Sequence, residues 1–170
     1  MFKKARIRCL SVVVVIAMCF SLAACGSSEA ERTAEYKSIL VETIELMRVH
    51  AYGSNELLSL TASEWQRAIN GRRDFNVALN RLFELESVQS ILDMLYDGNA
   101  EIIDNMRELQ NPPEQFTSTY ETLLELYDIY TQLHNLAVSP TGSLQTFNAT
   151  RNDLVRQFNA LQTRINVLLP

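Results

Sequence analysis

Glycine and proline are scarce in this 170-residue chain, five and four respectively, and they fall in a few clusters. That scarcity argues against a turn-rich β fold and for long helices. Cysteine is scarcer still, at three. Two of these, Cys9 and Cys19, lie in an N-terminal segment expected to be removed. Only Cys25 would then remain, and an internal disulfide is excluded. There is no Gly-rich phosphate loop, no Gly-x-Ser-x-Gly and no Cys-x-x-Cys-His, so the chain is not expected to be an enzyme or to carry covalently attached haem. Basic residues are few outside the N-terminus. Without residues 1–24, eleven Lys and Arg face twenty Asp and Glu, a net charge of −9. Phosphate backbones are bound by basic surface, so nucleic-acid binding is not expected.

The N-terminus has three blocks. Lys3, Lys4, Arg6 and Arg8 form a positive patch, Leu10 to Ala24 is an uncharged run rich in apolar residues, and Leu22-Ala23-Ala24 closes it with small residues. This is the pattern of a cleaved secretory signal peptide. The run, about 15 residues, falls short of the roughly 20 that a spanning helix needs. Leu22-Ala23-Ala24-Cys25 resembles the bacterial lipobox. That resemblance implies cleavage before Cys25, its lipidation, and a chain held at the extracytoplasmic face of the cell membrane. Two or more acyl chains give stable anchoring. The expected organisation is a lipoprotein signal peptide at 1–24, the lipidated cysteine and a short polar tether at 25–31, and one helical domain at 32–170. The remaining 146 residues suffice for one domain with its own core.

Four main helices are legible. The first spans about Arg32 to Asn70, with an apolar stripe at Tyr36, Leu40, Ile44, Met47, Ala51, Leu58, Ala62, Trp65 and Ile69. The steps of three, four or their sums keep one face inward. Gly53 weakens the helix there, but the stripe stays in phase, so one continuous helix is expected. Asn70-Gly71 is a stop signal, and Asp74 can cap the next helix. The stripe of Phe75, Leu79 and Leu82 lies nearly opposite that of Val88, Ile91, Leu92, Leu95, Ile102, Met106 and Leu109. A break is therefore expected near Glu84 to Ser87. Pro112-Pro113 separates the second helix from a third, and Ser139-Pro140-Thr141-Gly142 separates the third from a fourth. Phe116, Tyr120, Leu123, Tyr127, Tyr130, His134 and Ala137 recur at heptad steps in the third. Leu144, Phe147, Leu154, Phe158, Leu161, Ile165 and Leu168 do so in the fourth, with Arg151 in one slot. Short links and strict heptads predict an all-α, up-down-up-down antiparallel four-helix bundle with a long first helix.

The residues Asn111-Pro112-Pro113-Glu114, Tyr120, Leu123-Leu124-Glu125-Leu126-Tyr127, Tyr130, Ser139-Pro140 and Gly142-Ser143-Leu144 resemble a family of uncharacterised lipoproteins from Gram-positive bacteria. Trp65, Ala68-Ile69, Asp74-Phe75-Asn76 and Ala78-Leu79 resemble its first half. The resemblance implies a helical surface lipoprotein and no activity.

Three candidate sites remain. His134, on the aromatic face of the third helix, suits a core position with one hydrogen-bond partner, or a haem or metal ligand inside the bundle. His50 lies at the edge of the first stripe. A di-iron site needs Glu-x-x-His pairs, and Met47 and Thr131 occupy those places, so no metal site or cofactor is expected. Asp93, Asp97, Glu101, Asp104 and Glu108 share one face, most simply a solvated one and otherwise a site for a cation or a basic partner. The first helix, about 57 Å long, should overhang the third and fourth, about 39 Å, by about 18 Å. Trp65, Ile69, Phe75, Leu79, Leu82 and Phe83 would then form a protruding apolar tip, the alternatives being that the tip folds on itself or that the first helix breaks at Gly53. Such patches usually mark contacts, so a protein or peptide partner is expected there. The alternative function is binding of haem or a small apolar molecule between the helices.

Overall fold

A computed structural model describes the backbone of residues 3–169 and the side chains of residues 29–169. The chain is all-helical: α1 (Lys3–Asn70), α2 (Phe75–Phe83), α3 (Glu86–Glu108), α4 (Thr117–Val138) and α5 (Leu144–Leu168), with a 3-10 turn at Glu114–Phe116. Two compact units divide it, Met1–Ser38 and Ile39–Pro170. The first is the N-terminal part of α1, and the helix includes Glu29–Glu31, where a short polar tether was expected. The Cys25 side chain, and with it the lipidation reading, lies outside the described residues.

Within the second unit, α1 runs through Gly53 without interruption. Its buried positions step from Leu40, Ile44 and Met47 through His50 and Ala51 to Leu57, Leu58, Thr61, Trp65 and Ala68. The last step from Trp65 is three residues, to Ala68, and Ile69 is left 53% exposed instead of joining the core. The expected break falls where the two stripes conflict. α2 ends at Phe83, and Leu85 takes an extended backbone before α3 begins. One straight helix would have had to bury opposite faces.

The helix ends obey local chemistry. The Asp74 side chain accepts from Val77 N at 3.0 Å and caps α2. Ser143 and Thr146 form a reciprocal capping box at α5. Gly142, at φ +92°, supplies the left-handed residue before it. α4 starts later than Pro112-Pro113 suggested, because Pro113 leads into the 3-10 turn and α4 opens only at Thr117.

At the end of α1, Arg73 N donates to Ala68 O and Arg72 N to Ile69 O, at 2.9 and 3.1 Å. This is the paired bonding of a Schellman stop, with Arg72 as its left-handed residue at φ 51°. Glycine sits one position early, at Gly71.

Pairwise contacts set the registers. Gly53 meets Met94 and Leu95, and Gly98 meets His50, so α1 and α3 run antiparallel. Tyr130 with Asn99 and His134 with Tyr96 give the same sense for α3 and α4. Thr119 Oγ1 donates to Leu168 O at 3.0 Å, and Arg164 pairs with Glu125 at 3.3 Å, which sets α4 against α5. Arg151 bonds to Asn55 and Ser59, which sets α5 against α1. Of the expected heptad residues, Phe116, Leu123, Tyr130, Phe147 and Ile165 are at most 1% exposed, whereas Tyr120, Tyr127, Leu144, Leu161 and Leu168 are only half-buried.

A non-glycine residue in the left-handed region costs about 1–2 kcal/mol. Glycine there returns part of this as unfolded-state entropy. Arg72→Gly is expected to raise unfolding free energy by about 1 kcal/mol, read by urea denaturation; a loss of stability would contradict the Schellman assignment.

Candidate functional site

Trp65 is 8% exposed. Its ring stacks on Phe75, with centroids 3.8 Å apart and planes 13° from parallel, and meets Phe147 at 5.6 Å. The Schellman turn folds α2 back on α1, and the first turn of α5 closes the other side. The expected 18 Å overhang is therefore not formed. Phe147 stands level with Trp65, only five residues, about 7.5 Å, from the end of α1. Of the six expected contact residues, Trp65 and Leu82 are buried, Phe75, Leu79 and Phe83 are half-buried, and Ile69 alone is exposed. The protruding apolar tip is thereby corrected to a largely closed cap.

His134 is in the core, as expected, and His50 lies deeper than its sequence position suggested. His50, expected at a stripe edge, is 5% exposed, as is His134. A Cβ placed on Gly98 would overlap the His50 imidazole, so only glycine lets α3 sit where it does. His134 lies edge-on to Tyr96 at 6.2 Å and tilted to Tyr130 at 6.0 Å. Neither Nδ1 atom has a hydrogen-bond partner. Burial lowers both pKa values below the usual imidazole range. Glu101 opposes this at His50, and His50 itself adds to it at His134. The single partner expected for His134 is thus missing at Nδ1, and both rings are neutral core groups around pH 7. A haem between them would have to displace the packed Gly98 contact and the two tyrosine rings, so the surroundings do not fit one. Among the described residues, no group of three or more His, Cys, Asp or Glu is placed to hold a metal ion. Desolvation also pushes the Tyr130 phenol pKa far up.

The acidic face of α3 is exposed throughout. Asp104 pairs with Arg107 at 2.5 Å, as a solvated surface would.

An open groove of about 280 Å³ lies between α1 and α5, with Leu133 of α4 reaching its floor. Ala51, Val155 and Phe158 complete the apolar base. Arg48, Tyr52, Asn55, Asn159 and Gln162 line its walls. Tyr52 is 72% exposed although large and aromatic. At one end Arg151 Nε donates to Asn55 Oδ1 at 2.8 Å and Nη2 to Ser59 Oγ at 2.5 Å. Arg151 is half-buried, and burial lowers its pKa while Glu56 partly offsets this. At the other end Arg48 holds Glu45 through Nε at 2.8 Å and Nη2 at 2.7 Å. Sequence reasoning missed this groove. Its one signal was Arg151 standing in an apolar heptad slot.

No family model, curated protein or solved structure matches the chain. No helix among the described residues is long and apolar enough to cross a membrane. Function is therefore read from the chain's own residues.

Two measurements test this geometry. Trp65 emission should be blue-shifted and poorly quenched by acrylamide, and Phe75→Ala should raise the quenching; red-shifted, freely quenched emission would restore the exposed tip. The second concerns pH. Both histidines bind protons more weakly folded than unfolded, so their neutral form is fully accommodated above about pH 6.5. As pH falls below that value the unfolded chain takes up protons first, and stability drops until the lowered folded pKa values are reached. Tm should thus be lower at pH 5 than at pH 7.5, and His134→Phe should flatten the slope; an equal slope in the variant would remove His134 from the explanation.

Proposed function

We propose that this chain is a lipid-anchored protein of the extracytoplasmic face of a bacterial cell membrane, and that its helical body binds another protein or a peptide. The leader and Leu22-Ala23-Ala24-Cys25 support the anchor. The antiparallel registers of α1 with α3, α3 with α4, α4 with α5 and α5 with α1 support an up-down-up-down four-helix bundle. α2 then acts as the link that turns the chain from α1 into α3.

The α1–α5 groove carries the binding proposal. It combines an apolar base, polar walls and a 72% exposed tyrosine. A concave site with a few converging polar groups is where a ligand is expected, and exposed aromatic residues dominate binding energy at contact surfaces. At about 280 Å³ it lies near the small end of ligand sites. That suits a short segment of a partner better than a large cofactor.

Photo-crosslinking in living cells tests the reading. A photoreactive residue replacing Tyr52 should give an adduct whose crosslinked peptide is identifiable by mass spectrometry, and the same residue at Ile69 should give none. Adducts at 69 alone would move the contact back to the cap. Mass spectrometry of the mature N-terminal peptide should find acylated Cys25; a free thiol there, or a retained leader, would overturn the anchor.

A further inference from the structure

We propose that the α1–α5 groove receives the C-terminal carboxylate of an extended peptide, with Asn55 as its donor and Arg151 as the positioning cation behind it. This rests on the groove being the partner site. Arg151 is the informative residue. It occupies a heptad slot, it is half-buried, and both its acceptors, Asn55 Oδ1 and Ser59 Oγ, are neutral. None of the ion pairs among the described residues includes it. Glu56 offsets the burial of this charge only in part and makes no ion pair with it, and a ligand carboxylate one hydrogen bond away would offset more of it.

The bond from Arg151 also fixes the orientation of the Asn55 amide. With Oδ1 taken, the Nδ2 amino group is the part left to meet a ligand. A cation one hydrogen bond behind an amide polarises it and strengthens its donor end. At the far end Arg48 is more exposed and is already paired with Glu45, so its charge is partly offset there.

The walls favour a peptide over a small acid. Asn159 and Gln162 each offer a donor and an acceptor, the complement of a backbone N–H and C=O. From Arg48 to Asn55 the groove spans seven residues of α1, about 10 Å, the length of about three extended residues. Tyr52 would cover their side chains.

The full chain, immobilised from detergent solution, should be equilibrated with two pools of tetrapeptides of randomised sequence. One pool ends in a free carboxylate and the other in an amide. Retention of the acid pool is expected to exceed that of the amide pool about tenfold, since bonds to charged groups are the stronger class. Asn55→Leu and Arg151→Lys should abolish that excess, and Asn159→Leu should lower both pools alike. Melting curves of each variant separate this from misfolding, and Arg107→Gln, at an exposed position on α3 outside the groove, should leave the excess unchanged. Equal retention of the pools would overturn the carboxylate assignment while leaving the groove as a partner site. No retention of either would overturn the peptide assignment, with the Tyr52 crosslink still testing the broader reading. Competition by sodium acetate as strong as by peptide would reassign the site to small acids.

Discussion

The approach of α3 to α1 at Gly98 governs the interior of the second unit. With no Cβ at that position, the two helices close until the His50 ring fills the hollow. Gly53 performs the same service from the α1 side, where it receives Met94 and Leu95. Two glycines on facing helices thus set both distance and register, and an imidazole is fixed where an aliphatic side chain would be the simpler choice. His134 is drawn into the same layer from α4, against Tyr96 and Tyr130. Buried polar atoms without partners cost free energy. The layer is therefore less stable than an apolar one of equal volume, and its cost grows when protons are offered.

Much of the fold was legible because it depends on periodicity. Heptad steps in α4 and α5, the conflict of stripes on either side of Glu84, and the cap at Asp74 are local signals, and each has its counterpart in the structure. Glycine was harder to read. Gly53 looked like a weak point in α1 and Gly71 like the left-handed stop. In the structure Gly53 is a packing surface, and the left-handed residue is Arg72. A glycine that admits a neighbouring helix and one that ends its own helix are the same letter, and only the partner tells them apart.

The tip failed for a related reason. Helix lengths alone implied an overhang, but length does not say at which level helices begin. α5 starts at the height of Trp65, so its first turn covers the aromatic cluster. The groove was illegible for the opposite reason: its walls come from residues of α1 and α5 about a hundred positions apart, and Asn, Gln and Tyr on outward faces look like ordinary solvated surface. Arg151 in an apolar slot was the one anomaly that sequence could register.

That anomaly has two physical resolutions. An arginine at a helix–helix seam can bury its aliphatic stem and send its head to water, in which case it is structural and asks for nothing more. Here the head turns instead to Asn55 and Ser59 on the opposite helix, and burial depresses its pKa. The bonds hold α5 to α1 at one end of the groove, but neutral acceptors satisfy geometry without neutralising charge. A glutamine reaching the same acceptors would bridge the helices with less desolvation. A need for positive potential at that end would account for the part of the cost of a guanidinium that Glu56 does not offset, and the groove shares a residue, Asn55, with its hydrogen bonds.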